Sequence, residues 1–243
     1  TIRPRDEIIV SDLDHDANVT PWTDLKDLGA VIKTLPLSEN CTLDMEQLAG
    51  LVGPKTVLLA ITGASNAVGT MPDIATAIKI AHSVGAKVFI DAVQLAPHAP
   101  IDVQSLDCDF LACSAYKFFG PHVGILYGKT EWLEALTPHK VRPSKNEIPY
   151  RWETGTLNFE GLAGVAAAVD YLASVNEDDD QNDRKEALKK SMEHILRYEA
   201  ELTSKLLTGL LGMQNITVYG ITDLARINER LDRKSTRLNS SHV

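Results

Sequence analysis

The run Val57-Leu58-Leu59-Ala60-Ile61 has no polar position, so a strand built from it has to be covered on both faces. A sheet with one wet face would alternate instead. Similar runs recur at Glu7-Ile8-Ile9-Val10, Lys87-Val88-Phe89-Ile90-Asp91, Asp109-Phe110-Leu111-Ala112-Cys113 and Ile125-Leu126-Tyr127, and Val31-Ile32-Lys33-Thr34-Leu35 alternates partially. Residues 21–28, 44–51 and 72–84 fall between them and have helix character, closed by Gly29, Gly53-Pro54 and Gly85. This alternation predicts an α/β fold in which a mainly parallel sheet lies between helices. With 243 residues, 44% of them hydrophobic, the chain can bury such a core as one large domain or a domain and a half.

In a sheet of this kind, chemistry gathers where strands end at their carboxyl edge. Two strands end on reactive groups: Phe89-Ile90-Asp91-Ala92-Val93-Gln94 on a carboxylate and Ser114-Ala115-Tyr116-Lys117 on an amine. A lysine at a buried strand end is costly unless it snorkels, is paired or is covalently used. Such an amine can form a Schiff base with an aldehyde, and an acid beside it can pair with a protonated pyridine nitrogen, as pyridoxal 5'-phosphate (PLP) requires. Lys117 and Asp91 suit those two roles. A salt-bridged Asp91 and a surface Lys117 is the other reading of the same spacing.

Five segments carry more than spacing. Asp14-His15-Asp16-Ala17-Asn18, residues 62–70 (TGASNAVGT), Asp91-Ala92-Val93-Gln94, Ser114-Ala115-Tyr116-Lys117 and residues 151–158 (RWETGTLN) stand in the order and approximate spacing of class V aminotransferase-fold enzymes. Over residues 1 to about 220 the chain resembles that family, nearest its cysteine desulfurase and selenocysteine lyase branch. The resemblance implies the fold type I, aspartate aminotransferase-like large domain of PLP-dependent transferases. It also implies roles. His15 would stack on the pyridine ring, Asn66 would reach toward the substrate carboxylate and cofactor, and Gln94 would donate to the cofactor's phenolic oxygen. Ser114 would donate to the phosphate, although a strand-end cap is an equal reading of that serine. Thr156 would reach the phosphate of a partner subunit, which makes a homodimer the implied assembly.

One residue departs from the pattern. Relatives of the desulfurase type usually have His directly before the lysine, where this chain has Tyr116. A tyrosine hydroxyl can keep a phosphate hydrogen bond but shuttles protons poorly at neutral pH. PLP binding survives this change, and desulfurase chemistry is what it puts in question. Desulfurase chemistry also needs a nucleophilic cysteine and a carboxylate-binding arginine from a small C-terminal domain. Cys108 and Cys113 do not stand in that nucleophile's place, and Cys41, Cys108 and Cys113 show neither metal-ligand nor disulfide spacing.

The expected organisation is a PLP-binding large domain over 1–182, lacking its N-terminal part. A connecting helix and the start of a small domain follow over 183–225, and 226–243 is expected to be a non-native tail without apolar periodicity. Residues 138–149 form an exposed loop, 159–174 a helix of small residues, and 184–211 a long amphipathic helix with Leu188, Met192, Ile195, Leu202 and Leu206 inward. The acidic run Glu177-Asp178-Asp179-Asp180 reads as a solvated loop and not as a metal site. A net charge of -9 and pI near 5.2 disfavour nucleic-acid and anionic-membrane partners. No apolar run spans a bilayer and no signal-peptide core is present, so a cytoplasmic protein is expected. The functional expectation is a PLP-dependent enzyme acting on a small amino acid, cysteine desulfurase-like. Another class V aminotransferase or PLP lyase is the alternative, and a non-catalytic relative of the same scaffold is a second one.

Overall fold

The computed structural model describes residues 2–153, 155–176 and 183–231. Six strands form one sheet: β1 (Glu7–Ser11), β2 (Val31–Leu35), β3 (Thr56–Thr62), β4 (Lys87–Asp91), β5 (Phe110–Ser114) and β6 (Gly124–Gly128). Their order across the sheet is β2-β1-β3-β4-β5-β6. The first five run parallel and β6 closes the edge antiparallel to β5. The fold class is the α/β architecture expected.

Burial on both faces is visible residue by residue. Ile9, Leu59, Ile61, Val88 and Ile90 belong to one core, while their neighbours Ile8, Val10, Leu58 and Ala60 belong to another, with Phe89 packed on it. Consecutive strand residues point to opposite faces, so an unbroken apolar run feeds two cores at once. The first is covered by α2 (Met45–Leu51) and α3 (Ile74–His82) through Leu48, Ala77, Ile78 and Ala81. The second is covered by Trp22 and Leu25, from α1 (Thr20–Thr23) and the 3-10 turn Asp24–Leu28 after it. One helix was expected over 21–28; two shorter pieces occupy it, and Gly29 at φ 88° turns the chain out. The helix expected over 72–84 is trimmed because Asp73 caps its start, accepting from Thr76 N at 2.9 Å.

The remaining helices are the single-turn α4 (Val103–Leu106), α5 (Thr130–Ala135), α6 (Phe159–Ala173) and α7 (Arg184–Leu211). On α7 the inward stripe matches the expected one in part: Leu188, Met192 and Ile195 pack against one core. Ala187, Ser191, Met192, Thr203 and Leu207 are buried, whereas Leu202 and Leu206 are each 39% exposed. A straight α-helix drifts from a seven-residue repeat, so over 28 residues the buried stripe moves to neighbouring positions.

Residues 214–219 form neither helix nor strand. Beyond them the chain returns to the sheet. Met71 N donates to Glu229 O at 2.8 Å, Leu231 N donates to Gly69 O at 2.9 Å, and Thr70 bridges Arg230. Arg230 Nη1 donates to the carbonyls of Tyr219 at 3.1 Å and Ile221 at 2.8 Å, and Leu231 is buried in the main core. The boundary expected at 226 therefore falls inside a packed segment. Apolar periodicity could not signal it, because one core side chain and backbone bonds hold it. The acidic run 177–180 and residues 232–243 lie outside the described residues.

Candidate active site

The strand order creates a switch point. From β1 the chain goes to β2 on one side, and from β3 it goes to β4 and β5 on the other. The loops leaving β1 and β3 therefore diverge and open a crevice at the carboxyl edge. A cavity of about 330 Å³ lies there, lined by His15 and Ala17 after β1, Thr62, Ala64 and Asn66 at the end of β3, Asp91, Val93 and Gln94 at β4, and Ser114, Tyr116 and Lys117 at β5. The structure thus brings together seven of the eight candidate residues from four strand ends. Thr156 is the exception: it is exposed and outside this cavity.

Lys117 sits in a 3-10 turn, Ala115–Phe118, directly after β5. The next side chain, Phe118, is buried against Ala168, Leu172 and Met192 of α6 and α7, which anchors the turn. Lys117 Nζ lies 5.4 Å from the Tyr116 ring centroid, and among the described residues it forms no ion pair. Tyr116 itself stacks nearly parallel on His122, with centroids 5.0 Å apart at 13°. An imidazole thus adjoins Tyr116, although it is not next to the lysine in sequence. Ser114 makes no capping hydrogen bond to the turn, so the capping reading of that serine is absent.

Asp91 accepts from Val93 N at 2.9 Å through one oxygen. Burial pushes its carboxyl above the usual range, opposed by that hydrogen bond and by the nearby charges of His15 and Lys117. A cationic ring nitrogen at this carboxylate would relieve the same penalty. His15 heads its own short turn, and its Nδ1 accepts from Ala17 N at 3.0 Å. Neutral His15 therefore carries its proton on Nε2.

Gln94 is 5% exposed. Its Nε2 lies 3.2 Å from His98 Nε2, and its Oε1 is buried without a partner. His98 Nδ1 in turn lies 2.8 Å from Glu199 Oε2 on α7. Neither His98 nor Glu199 stood out in the sequence. The four-residue step from Gln94 to His98 was the available signal, since residues 92–99 wind as helical turns, with Ala96 N on Ala92 O at 2.8 Å.

Asp14 also escaped notice. It receives hydrogen bonds from Ser11 Oγ and from Asn18 Nδ2, the latter at 2.7 Å, and Asn18 Oδ1 accepts from Trp22 Nε1 at 3.2 Å. Burial lifts its carboxyl to about 7, against the pull of those hydrogen bonds and with a smaller push from Asp91. The Asp14-to-Asn18 motif thus holds its own loop as well as presenting His15.

The other motif residues are scaffold. Arg151 donates to the carbonyls of Glu134 at 3.3 Å and Leu136 at 3.0 Å, and Trp152 Nε1 donates to Leu133 O at 3.0 Å. They dock the segment leading to Thr156 against α5. Burial pushes the Cys108 thiol to about 11 and raises Cys113 as well, so neither is an activated nucleophile. Among the described residues no group of His, Cys, Asp and Glu could hold a metal ion, and no helix is long and apolar enough to cross a membrane.

Known proteins resemble this chain in sequence and in fold. The cysteine desulfurase of Pectobacterium atrosepticum is 35% identical over 233 residues, covering 90% of this chain and 54% of the relative. Among solved structures, the cysteine desulfurase CsdA of Escherichia coli superposes with a TM-score of 0.74 at 34% identity, over 88% of this chain and 53% of that one. The apo cysteine desulfurase of Thermococcus onnurineus NA1 shares the fold, with a TM-score of 0.79 at 24% identity over 95% and 56%. The chain spans about half the length of the curated relatives it matches. The aminotransferase class-V model matches residues 1–234, and the chain belongs to that family.

Proposed function

We propose that this protein binds pyridoxal 5'-phosphate through Lys117 and acts on a small amino acid in the manner of a cysteine desulfurase. The observation that carries the reading is the single cavity in which Lys117, Asp91, Gln94 and His15 meet. The residues fit the cofactor: an amine for its aldehyde, a carboxylate for its ring nitrogen, and at Gln94, in the same cavity, an amide whose N–H groups can donate to the phenolic oxygen once the amide is turned. When bound, the cofactor supplies an electron sink for a substrate carbanion.

The chain's own residues do the rest. Lys117 would hold the cofactor through Nζ and, when free, would carry a proton there. Asp91 would pair with the cofactor's ring nitrogen and favour its protonated form. His15 would stack on the ring, Asn66 would reach the substrate carboxylate, and Ser114 would donate to the phosphate. Tyr116 holds the place before the lysine and orders the phosphate without relaying protons well.

A homodimer belongs to this reading. Thr156 is exposed on its own subunit, and exposed apolar side chains stand near it in sequence or beside the lysine turn: Phe159 at 64%, and Phe119 at 75% set against Tyr171. A second copy covering them would bring Thr156 to the partner's phosphate. Residues 183–225 are, in the same reading, the link to a second, smaller domain. A class V aminotransferase or another PLP lyase is the alternative, and Tyr116, in the place where desulfurases usually carry a histidine, is the residue that favours it.

The test is spectroscopic. Protein loaded with pyridoxal 5'-phosphate should show a visible absorbance band that borohydride bleaches while fixing the cofactor covalently to Lys117, and Lys117→Ala should lack it. A variant that kept the band would overturn the site. Addition of cysteine should perturb the band; a response only to other amino acids would select the alternative.

A further inference from the structure

Glu199 can only accept a hydrogen bond, so the imidazole nitrogen 2.8 Å away, His98 Nδ1, has to be an N–H. Neutral His98 then has a bare Nε2, which accepts from Gln94 Nε2 at 3.2 Å. That fixes the amide: its nitrogen faces His98, and its oxygen is left buried without a partner. The orientation suits a ligand that donates to Gln94. It does not suit an anionic oxygen, which needs a donor there.

We infer that His98, held by Glu199, is a positioning residue that takes up a proton when an anionic ring oxygen enters the cavity, and that this proton turns the Gln94 amide end for end. With Nε2 also protonated, His98 donates to Gln94 Oε1 and the amide N–H groups face the ligand. The buried Gln94 Oε1 is then satisfied, and the Glu199 carboxylate pairs with the imidazolium. The groups bonded to His98 are Glu199 from α7 and Gln94 from its own turn. The other charged or titratable groups lining the cavity are Asp91 on β4, Lys117 and Tyr116 after β5, and His15 after β1.

The inference rests on pyridoxal 5'-phosphate, with its phenolic oxygen, being the ligand. The measurement is a proton count: calorimetric titration of cofactor-free protein with pyridoxal 5'-phosphate at pH 8, in two buffers of different ionisation heat. Free imidazole is neutral at that pH. Wild type should take up about one proton per site more than His98→Gln, Glu199→Gln or Gln94→Leu. Gln94→Leu keeps His98 intact and removes only the amide, so a histidine that merely supports the turn would leave its count at the wild-type value. Equal counts in wild type and all three variants overturn the relay while the cofactor reading stands. If His98→Gln does not fold, the comparison with Glu199→Gln and Gln94→Leu decides. Absence of binding in wild type, with no visible band, is failure of the cofactor reading instead.

Discussion

Asp14 is a carboxylate that its surroundings hold near neutrality, with burial lifting it from 3.8 to about 7. The sign of its effect on stability follows. The folded state binds the proton more tightly than the unfolded one, so the contribution is fully present below about pH 4 and is lost as pH rises through about 7. Asp14→Asn keeps the shape and removes the charge. Its stability relative to wild type should therefore rise between pH 5 and pH 8, by about 1–2 kcal/mol once the partial exposure of Asp14 is allowed for. Urea melts at the two pH values measure it, and an unchanged difference would contradict the shift. Residues with chemistry at a strand end, Asp91 and Lys117, were legible from one short stretch each. Asp14, His98 and Glu199 were not, because their roles depend on what the fold encloses and on a partner about a hundred residues away.

The turn after β5 is the element that delivers the lysine. Gly120 is required there by close approach: a Cβ would stand 2.8 Å from Ala115 Cβ and 2.9 Å from its carbonyl oxygen. The left-handed position is its neighbour Phe119, at φ 67°, so two adjacent residues divide the demands of one turn. Gly120→Ala should destabilise the protein by about 1–3 kcal/mol and loosen the hold on the cofactor, read from a urea melt and from the rate at which the visible band is lost on dialysis. A stable variant with full retention would show that the turn yields freely. The division of labour between Phe119 and Gly120 was not legible, because it depends on Phe118 being pulled into the α6 and α7 cluster. The stripe of α7 was legible as a stripe but displaced in part, since periodicity alone does not say which flank of a long helix its neighbours cover.

At the scale of the whole molecule, residues 221–231 tie the far end of the chain to the loop after β3, the loop that also carries Asn66. Leu231 is 1% exposed, and Leu231→Ala should cost about 2–5 kcal/mol, seen as a lower urea midpoint with an unchanged slope. A cost under about 0.5 kcal/mol would mean that the clasp adds nothing. The sheet and its helices were legible because unbroken apolar runs admit few other folds; the clasp was not, having no periodicity of its own. A last consequence concerns leverage. Glu199 lies about 22 Å along α7 from the helix start, at about 1.5 Å per residue. A tilt of about 5° hinged at that start would swing its carboxylate by about 2 Å, enough to break a 2.8 Å contact. The 28-residue helix is in this sense a gear: a small rotation imposed at its far end is delivered, as the making or breaking of one bond, beside the cavity where the chemistry is proposed to occur.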